Sequence, residues 1–252
     1  MTWTLGEIYR HPVKSLGEEA LDSVRLITGQ AMPFDRTWAI AHGRNEWDDA
    51  APAWLAPGHL VNQTHVPKLA QIETGFNEAT GMLTLRHPDQ PFLRVQPGTP
   101  EGDAALTEWI APLADNARPG PYRVCAAPGV AFTDFEETHL SIASTRSRAI
   151  LEQICGQNFE SIRFRMNLWL DGMDPWAEFD LVGREIEIGA VRLQVIDRCQ
   201  RCNATNASPE TGHRDAKIPS TLRKRYGHMD FGVYAQVISG GEIRLGDYAR
   251  AL

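Results

Sequence analysis

Two thiols three residues apart, Cys199 and Cys202, each follow an arginine, Arg198 and Arg201, in VIDRCQRCNATNASPETG (195–212). A nearby positive charge favours the thiolate over the thiol, and a thiolate is a soft metal ligand. The pair therefore reads as a metal-thiolate site. Other readings stay open. Zinc would have to recruit His213 and His228, since the chain has no second C-x-x-C and no H-x-x-x-H to complete four ligands. A disulfide, a redox pair or two inert buried thiols also fit a lone C-x-x-C. Asn203, Asn206, Ser208, Pro209 and Gly212 argue against a following helix, which a thioredoxin-type pair requires.

Oxyanion binding is the second chemistry the residue types allow. In HPVKS (11–15), Pro12 biases His11 to an extended conformation and leaves Lys14 and Ser15 just beyond a strand end. That pair either grips an oxyanion or sits in a solvated loop. Arg36, beside Trp38 in FDRTW, is surface or site. Across 163–170, Phe164, Met166, Leu168 and Leu170 alternate with Arg163, Arg165, Asn167 and Trp169. This period of two predicts a strand with one core face and one cationic, polar face. The polar face is either solvated or a wall of guanidinium donors facing an anion. Arg223, Lys224 and Arg225 read as a solvated charge run on a short exposed helix or loop.

Short β elements must place these residues. Apolar patterning predicts strands over 2–9, around Val24 and Leu26, and over 34–41, 69–74, 82–86, 92–95 and 122–125. Ile186, Ile188, Val191, Leu193 and Val195 flank Gly189-Ala190 as a hairpin that delivers both cysteines into a loop. Phe231, Val233, Ala235 and Val237 predict a strand that turns at Gly240-Gly241 into a closing hairpin. Helices are expected over 103–114 and around Ile150, Leu151 and Ile154, with Ser147 as N-cap and Gly156 as stop. The long loop 42–67 has the length of a lid, and 133–138 is a polar loop.

Proline and glycine clusters at 97–100 and 119–121 divide the chain into 1–118 and 119–252. With 252 residues, 21 Gly and 16 Pro, the expected class is mainly β with a few helices (α+β), in two β-barrel-like domains. A net charge of −7 argues against nucleic-acid partners and an anionic membrane surface. The N-terminal stretch has no signal-peptide core and no apolar run is long enough to span a bilayer, so the expected location is cytoplasmic. A reducing compartment leaves Cys199 and Cys202 free for metal, while Cys125 and Cys155 read as packing residues.

The ordered series HPVKS, FDRTW, RFRMNLWLDG, AEFDLVGREIEIG, RCQRCNATNASPETG, FGVYAQV and GEIRLGD resembles the MOSC family with its N-terminal β-barrel partner, nearly end to end. MOSC proteins are similar to the C-terminal part of molybdenum cofactor sulfurases. The two-part form resembles the mitochondrial amidoxime-reducing component and its bacterial relatives. This resemblance implies an N-terminal MOSC β-barrel domain over 1–118 and a MOSC domain over 119–252. It implies Cys202 as the protein ligand to molybdenum, and Lys14, Ser15, Arg36, Arg165, Asn167 and Tyr234 as contacts of a molybdenum cofactor of the molybdopterin form.

The function implied is reduction of a small N-oxygenated compound with electrons from a separate electron-transfer protein, because the chain has no cluster-binding cysteine set and no flavin or nicotinamide fingerprint. The alternative is a noncatalytic carrier of the cofactor or its sulfur. No pyridoxal-phosphate domain is expected in this chain. Relatives usually read T-x-V-D-P-x-T-G after the ligand cysteine, whereas Ala207 and Ser208 stand here for valine and aspartate, which predicts a lost loop contact. His11 stands for the usual tyrosine before PVKS, which predicts an altered pocket rim, and no catalytic acid is carried onto Thr133 or Asp134.

Overall fold

The computed structural model describes residues 2–137 and 139–252; Thr138, the last residue of the polar loop 133–138, lies outside them. The first half contains β1 (Thr2–Arg10), β2 (Glu19–Ala20), β3 (Ser23–Leu26), β4 (Ala39–Ala41), β5 (Glu73–Asn77), β6 (Met82–His87), β7 (Gln90–Val95) and α1 (Pro100–Ala114). The second contains β8 (Arg123–Cys125), β9 (Leu140–Ser144), α2 (Thr145–Cys155), β10 (Leu168–Asp171), β11 (Glu185–Ile188), β12 (Val191–Gln200), α3 (Ile218–Tyr226), β13 (Asp230–Ser239), β14 (Gly241–Arg244) and β15 (Tyr248–Ala251). The chain is mainly β with three α-helices, as the patterning predicts.

Seven strands close into a barrel in the order β10-β9-β13-β12-β11-β15-β1, with β1 pairing back onto β10. Its filling comes from alternate apolar positions, among them Leu5, Ile8, Ile142, Leu170, Ile186, Leu193, Val195, Val233 and Ala235, all at most 1% exposed. Closure passes through a register shift between Leu5 and Glu7 of β1. Gly6 occupies that shift because a Cβ there would lie 2.3 Å from an Asp171 carboxylate oxygen on β10.

Around the barrel lie three smaller sheets, β5-β6-β7, β4-β8 and β3-β14. A second apolar cluster packs Leu106, Trp109 and Ile110 of α1 against Val13, Trp38, Ile72 and Leu85. The sequence halves exchange strands: β1 and β3 pair with strands beyond residue 119, and β8 pairs with β4. The two cores are thereby tied together by backbone hydrogen bonds. Among the described residues no helix is long and apolar enough to cross a membrane.

Several local expectations are corrected. The closing hairpin does not form, because β14 pairs with β3 rather than with β13, and β13 instead lies between β12 and β9. The helix N-cap is Ser144, whose side chain accepts from Ser147 N–H; Ser147 lies inside α2, and Gly156 ends it in the left-handed conformation. Of that helix's expected apolar face, Leu151 is buried, Ile150 is half-buried and Ile154 is exposed. Only 39–41 of 34–41 is a strand, and Pro67 opens a 3-10 turn over Pro67–Gln71 so that β5 begins at Glu73. The charge run 223–225 falls on α3, whose Ile218 and Leu222 are buried.

Glu178 is an ionisable group that the core holds at notable cost. It is fully buried, receives the Ser147 hydroxyl at 2.8 Å and has Oε1 without a partner. Burial pushes its carboxyl up to about 7. A folded-state value raised from 4.5 means the native state holds its proton longer, so stability falls as pH rises from about 4.5 through 7. Glu178→Gln should therefore exceed wild type by up to about 3 kcal/mol in urea unfolding at pH 8, with the gap vanishing near pH 4.5. A gap that does not change with pH would contradict this account.

Candidate functional site

Backbone pairing brings the two N-terminal motifs together. Lys14 N–H donates to Trp38 O at 2.7 Å, Trp38 N–H to Pro12 O at 3.2 Å and Arg36 N–H to His11 O at 2.6 Å. Asp35 locks the crossing: it accepts from His11 N–H at 2.8 Å, lies 3.2 Å from His11 Nδ1 and pairs with the Arg36 guanidinium. Burial works to raise the Asp35 carboxyl, but Arg36 and His11 outweigh it and hold it below the usual carboxylate range. His11 itself is fully buried and is not among the residues that line the cleft.

These motifs open onto a cleft of about 280 Å³ between the barrel and the outer sheets. Lys14, Ser15, Arg36, Arg165, Asn167, Cys202 and Tyr234, the seven residues singled out in the sequence, all line it. Ser15, Arg36 and Arg165 have φ of 67°, 51° and 50°. The left-handed region is costly for residues with a Cβ, and three of the five such non-glycine residues described lie here. The strand expected over 163–170 starts only at Leu168, because a 3-10 turn over Ser161–Arg163 and the positive φ at Arg165 break it. The three polar residues thus do not share a strand face. Arg163 is clamped by both Asp215 oxygens at 2.6 and 2.9 Å, and Trp169 is buried in the core.

Among the described residues six cations line the cleft, Lys14, Arg36, Arg118, Arg163, Arg165 and Arg201, against one acid, Asp134. Lys14 meets Asp134 at 2.5 Å. The Lys14 ammonium holds the Asp134 carboxyl below its usual range. Burial pulls Lys14 itself down, against the pull of Asp134 and with help from Arg36. Arg165 donates to Gly17 O at 3.0 Å, while its Nη2 is buried without an acceptor. Burial, then repulsion from Arg36, brings the Arg165 guanidinium down to about 9. Among the described residues Arg165 forms no salt bridge, and the charges of Glu18, Asp35 and Asp134 do not offset its burial.

Asn167 contributes differently. Its Oδ1 accepts from Ser141 N–H and Oγ–H at 3.0 and 3.1 Å, and its Nδ2 donates to Tyr9 O at 3.1 Å. The amide ties β1 to β9 and is already satisfied by the protein. Tyr234 stands opposite Ser141 in the β13–β9 ladder, with the Phe135 ring edge-on at 5.7 Å. Burial raises its phenol well above the usual range.

The two cysteines part company. Cys199 is in β12, 1% exposed, and accepts from Arg201 Nη1 at 2.7 Å, whereas Cys202 follows the strand and is exposed at the cleft. Burial raises the Cys199 thiol, against Arg201. The expectation that both arginines serve the thiols is corrected: strand parity places Arg201 beside Cys199 and sends Arg198 to the other face, 4.5 Å over the Phe179 ring. The expected delivery of both thiols into a loop likewise holds only for Cys202. Its Sγ lies 3.1 Å from Thr64 Oγ1 in the long loop 42–67, which lines the cleft through Asn62, Gln63, Thr64 and His65. Ser208 keeps the following turn by accepting from the N–H groups of Glu210 and Thr211, both at 3.2 Å, as an aspartate would. Among the described residues no group of three or more His, Cys, Asp or Glu is placed to hold a metal, which leaves the zinc reading without ligands.

Sequence reasoning alone missed Arg118 and Thr64, which sit in stretches without a pattern. It also missed the role of Arg201, which the i, i+2 spacing from Cys199 carries.

Residues 122–250 match the MOSC domain and residues 2–111 match the MOSC N-terminal beta barrel domain. The molybdenum cofactor sulfurase of Drosophila erecta is 25% identical over 246 residues, covering 89% of this chain and 30% of that protein. This chain thus spans less than a third of that relative's length. Among solved structures, the YUAD protein of Bacillus subtilis shares 12% identity over all of this chain and 96% of its own, with a TM-score of 0.49. YiiM of Geobacillus stearothermophilus shares 18% over 46% of this chain and 54% of its own, with a TM-score of 0.37.

Exposure predicts the thiol order. Brief alkylation of the native protein with iodoacetamide, mapped by mass spectrometry, should label Cys202 first and leave Cys125 and Cys199 unlabelled. Label on Cys199 ahead of Cys202 would reverse the assignment of inner and outer thiol.

Proposed function

Because the chain belongs to the MOSC-domain family, preceded by that family's N-terminal β-barrel domain, we propose that its cleft holds a molybdenum cofactor of the molybdopterin form, with Cys202 as the protein's metal ligand, and reduces small N-hydroxylated compounds. The observation that carries this reading is the convergence of an accessible thiol with buried cations that lack counter-ions in a protein of net charge −7. A pterin with a phosphate tail and a soft metal matches that donor set.

Arg165 Nη2 supplies the free donor and the fixed guanidinium plane for the anionic part of the ligand. Lys14 can exchange Asp134 for the same anion, with Ser15 beside it. Arg36, pinned by Asp35 and bonded to Arg165 O at 2.7 Å, holds the turn that aims Arg165. Cys202 is presented by the strand end, and the Thr64 hydroxyl orients its sulfur. The chemistry such a cofactor supplies when bound is oxygen-atom transfer at the metal. Reduction of an N–OH group to N–H consumes two electrons and two protons and releases water, so a separate electron-transfer protein is required.

Cys202→Ser should abolish molybdenum retention in protein made in a cofactor-competent host, because oxygen is a poorer soft-metal ligand, and Cys199→Ser should cost less. Arg165→Ala should weaken pterin retention by about ten- to hundredfold, the loss of a charge-assisted hydrogen bond. Equal metal loss in both cysteine variants, with zinc in the wild type, would defeat the proposal. Full cofactor content with no turnover of amidoximes under an artificial donor would assign a carrier instead.

A further inference from the structure

Arg118 lies in the connection between α1 and β8, on the side of the cleft built by the outer sheets. Its Nη1 is 3.1 Å from His42 Nε2, and its Nη2 is 2.8 and 3.2 Å from the ring nitrogens of His65. Arginine only donates, so one nitrogen of each ring must accept from Arg118, while His65 Nδ1 is also 2.9 Å from Asn62 Oδ1. Both imidazoles are thus acceptors and uncharged. Burial, and after it the Arg118 charge, also pulls each of them below the usual histidine range.

Two neutral rings orient the guanidinium without neutralising it. Arg118 Nε is buried with no acceptor, and no carboxylate among the described residues pairs with this side chain. Asp115, three residues away, is taken by the Tyr122 hydroxyl at 2.5 Å. Arg214 adds a second positive charge near His65, with its Nη2 on Thr64 O at 2.6 Å. Thr64 is the residue that touches Cys202, and His65 is the next one along. Arg118 is therefore linked to the accessible thiol through His65 and Thr64, from the first half of the chain, whereas Arg165 comes from the second.

We infer that Arg118, held by His42 and His65, is a substrate subsite for an oxyanion, so that the N-oxygenated compounds turned over here carry a carboxylate or phosphate group. The inference rests on the reductase reading for its use in turnover, but the oxyanion subsite itself does not. A guanidinium held by neutral acceptors keeps its full charge for the ligand, and a planar fork meets either oxyanion in bidentate fashion. Selectivity follows because a neutral analogue leaves the Arg118 guanidinium, whose Nε has no acceptor, without a counter-charge.

Binding is tested without activity by NMR of the cofactor-free chain carrying 15N-labelled arginine and histidine, titrated with inorganic phosphate. Saturable shifts of the Arg118 Nε–H and the His65 ring signals are expected, with the His65 shifts lost in Arg118→Gln and partly kept in Arg118→Lys. Phosphate that shifts only the Arg165 signals would overturn the subsite. In the loaded enzyme, benzamidoxime is compared with its 4-carboxy derivative under an artificial donor. The kcat/KM ratio of acid over neutral should fall by about tenfold or more in Arg118→Gln, through KM, and should decline with ionic strength in the wild type. An unchanged ratio overturns the substrate role. Loss of pterin from Arg118→Gln also overturns it, since the anion would then belong to the cofactor. Phosphate shifts in a protein with no turnover of either amidoxime would keep the subsite and remove the reductase reading instead.

Discussion

The constraint on which the site depends is positive charge buried without its counter-charge. Two unit charges at 4 Å interact by about 4 kcal/mol at an effective dielectric near 20, and a buried ion left unpaired costs several kcal/mol. The fold settles some of this internally: Asp35 answers Arg36, Asp215 answers Arg163 and Asp134 answers Lys14. Among the described residues Arg118, Arg165 and Arg201 have no such acid, and each keeps a buried nitrogen without a partner. The protein alone is thus held in an arrangement that an entering anion relieves. That is how a site discriminates for charge before any contact with the reacting group is made.

Holding such a cleft open requires a frame that does not relax around it. The barrel supplies one side by closing β1 onto β10, and the Asn167 amide fixes β1 to β9 from within. The outer sheets supply the other side. Strand exchange through β1–β10, β3–β14 and β4–β8 keeps the two sides from separating, since opening the cleft would break backbone ladders. The positive φ values at Ser15, Arg36 and Arg165 are affordable only within such a frame, and they turn each residue toward the cleft.

Much of this was legible in residue order. Strand periodicity gave the β-rich class and the β11–β12 hairpin, and motif order pointed to seven residues that line one cavity. What failed did so for nonlocal reasons. The alternation at 163–170 is real, but a left-handed Arg165 interrupts the strand, and no propensity of arginine announces that. Gly240-Gly241 looks like a hairpin turn, yet β3, more than two hundred residues earlier, competes successfully for β14. Arg118 and Thr64 carry no local signal at all, because their chemistry appears only when a loop from one half meets a thiol from the other.

That meeting also explains why two cysteines of one motif have unlike fates. Parity along β12 turns Cys199 inward to Arg201, and the β12–β13 ladder, which resumes at Gln200 after a register irregularity, ends before Cys202. Cys202 is therefore free of the sheet, and its nearest polar contact is a hydroxyl from the distant loop. The same loop bears His65, which orients Arg118, and its Thr64 carbonyl is anchored by Arg214 from the segment after the cysteines. A displacement of the loop must move the thiol's partner and the guanidinium's partner together. The accessible thiol and the Arg118 guanidinium are accordingly coupled through two adjacent residues rather than through the barrel, whose packing is complete without either.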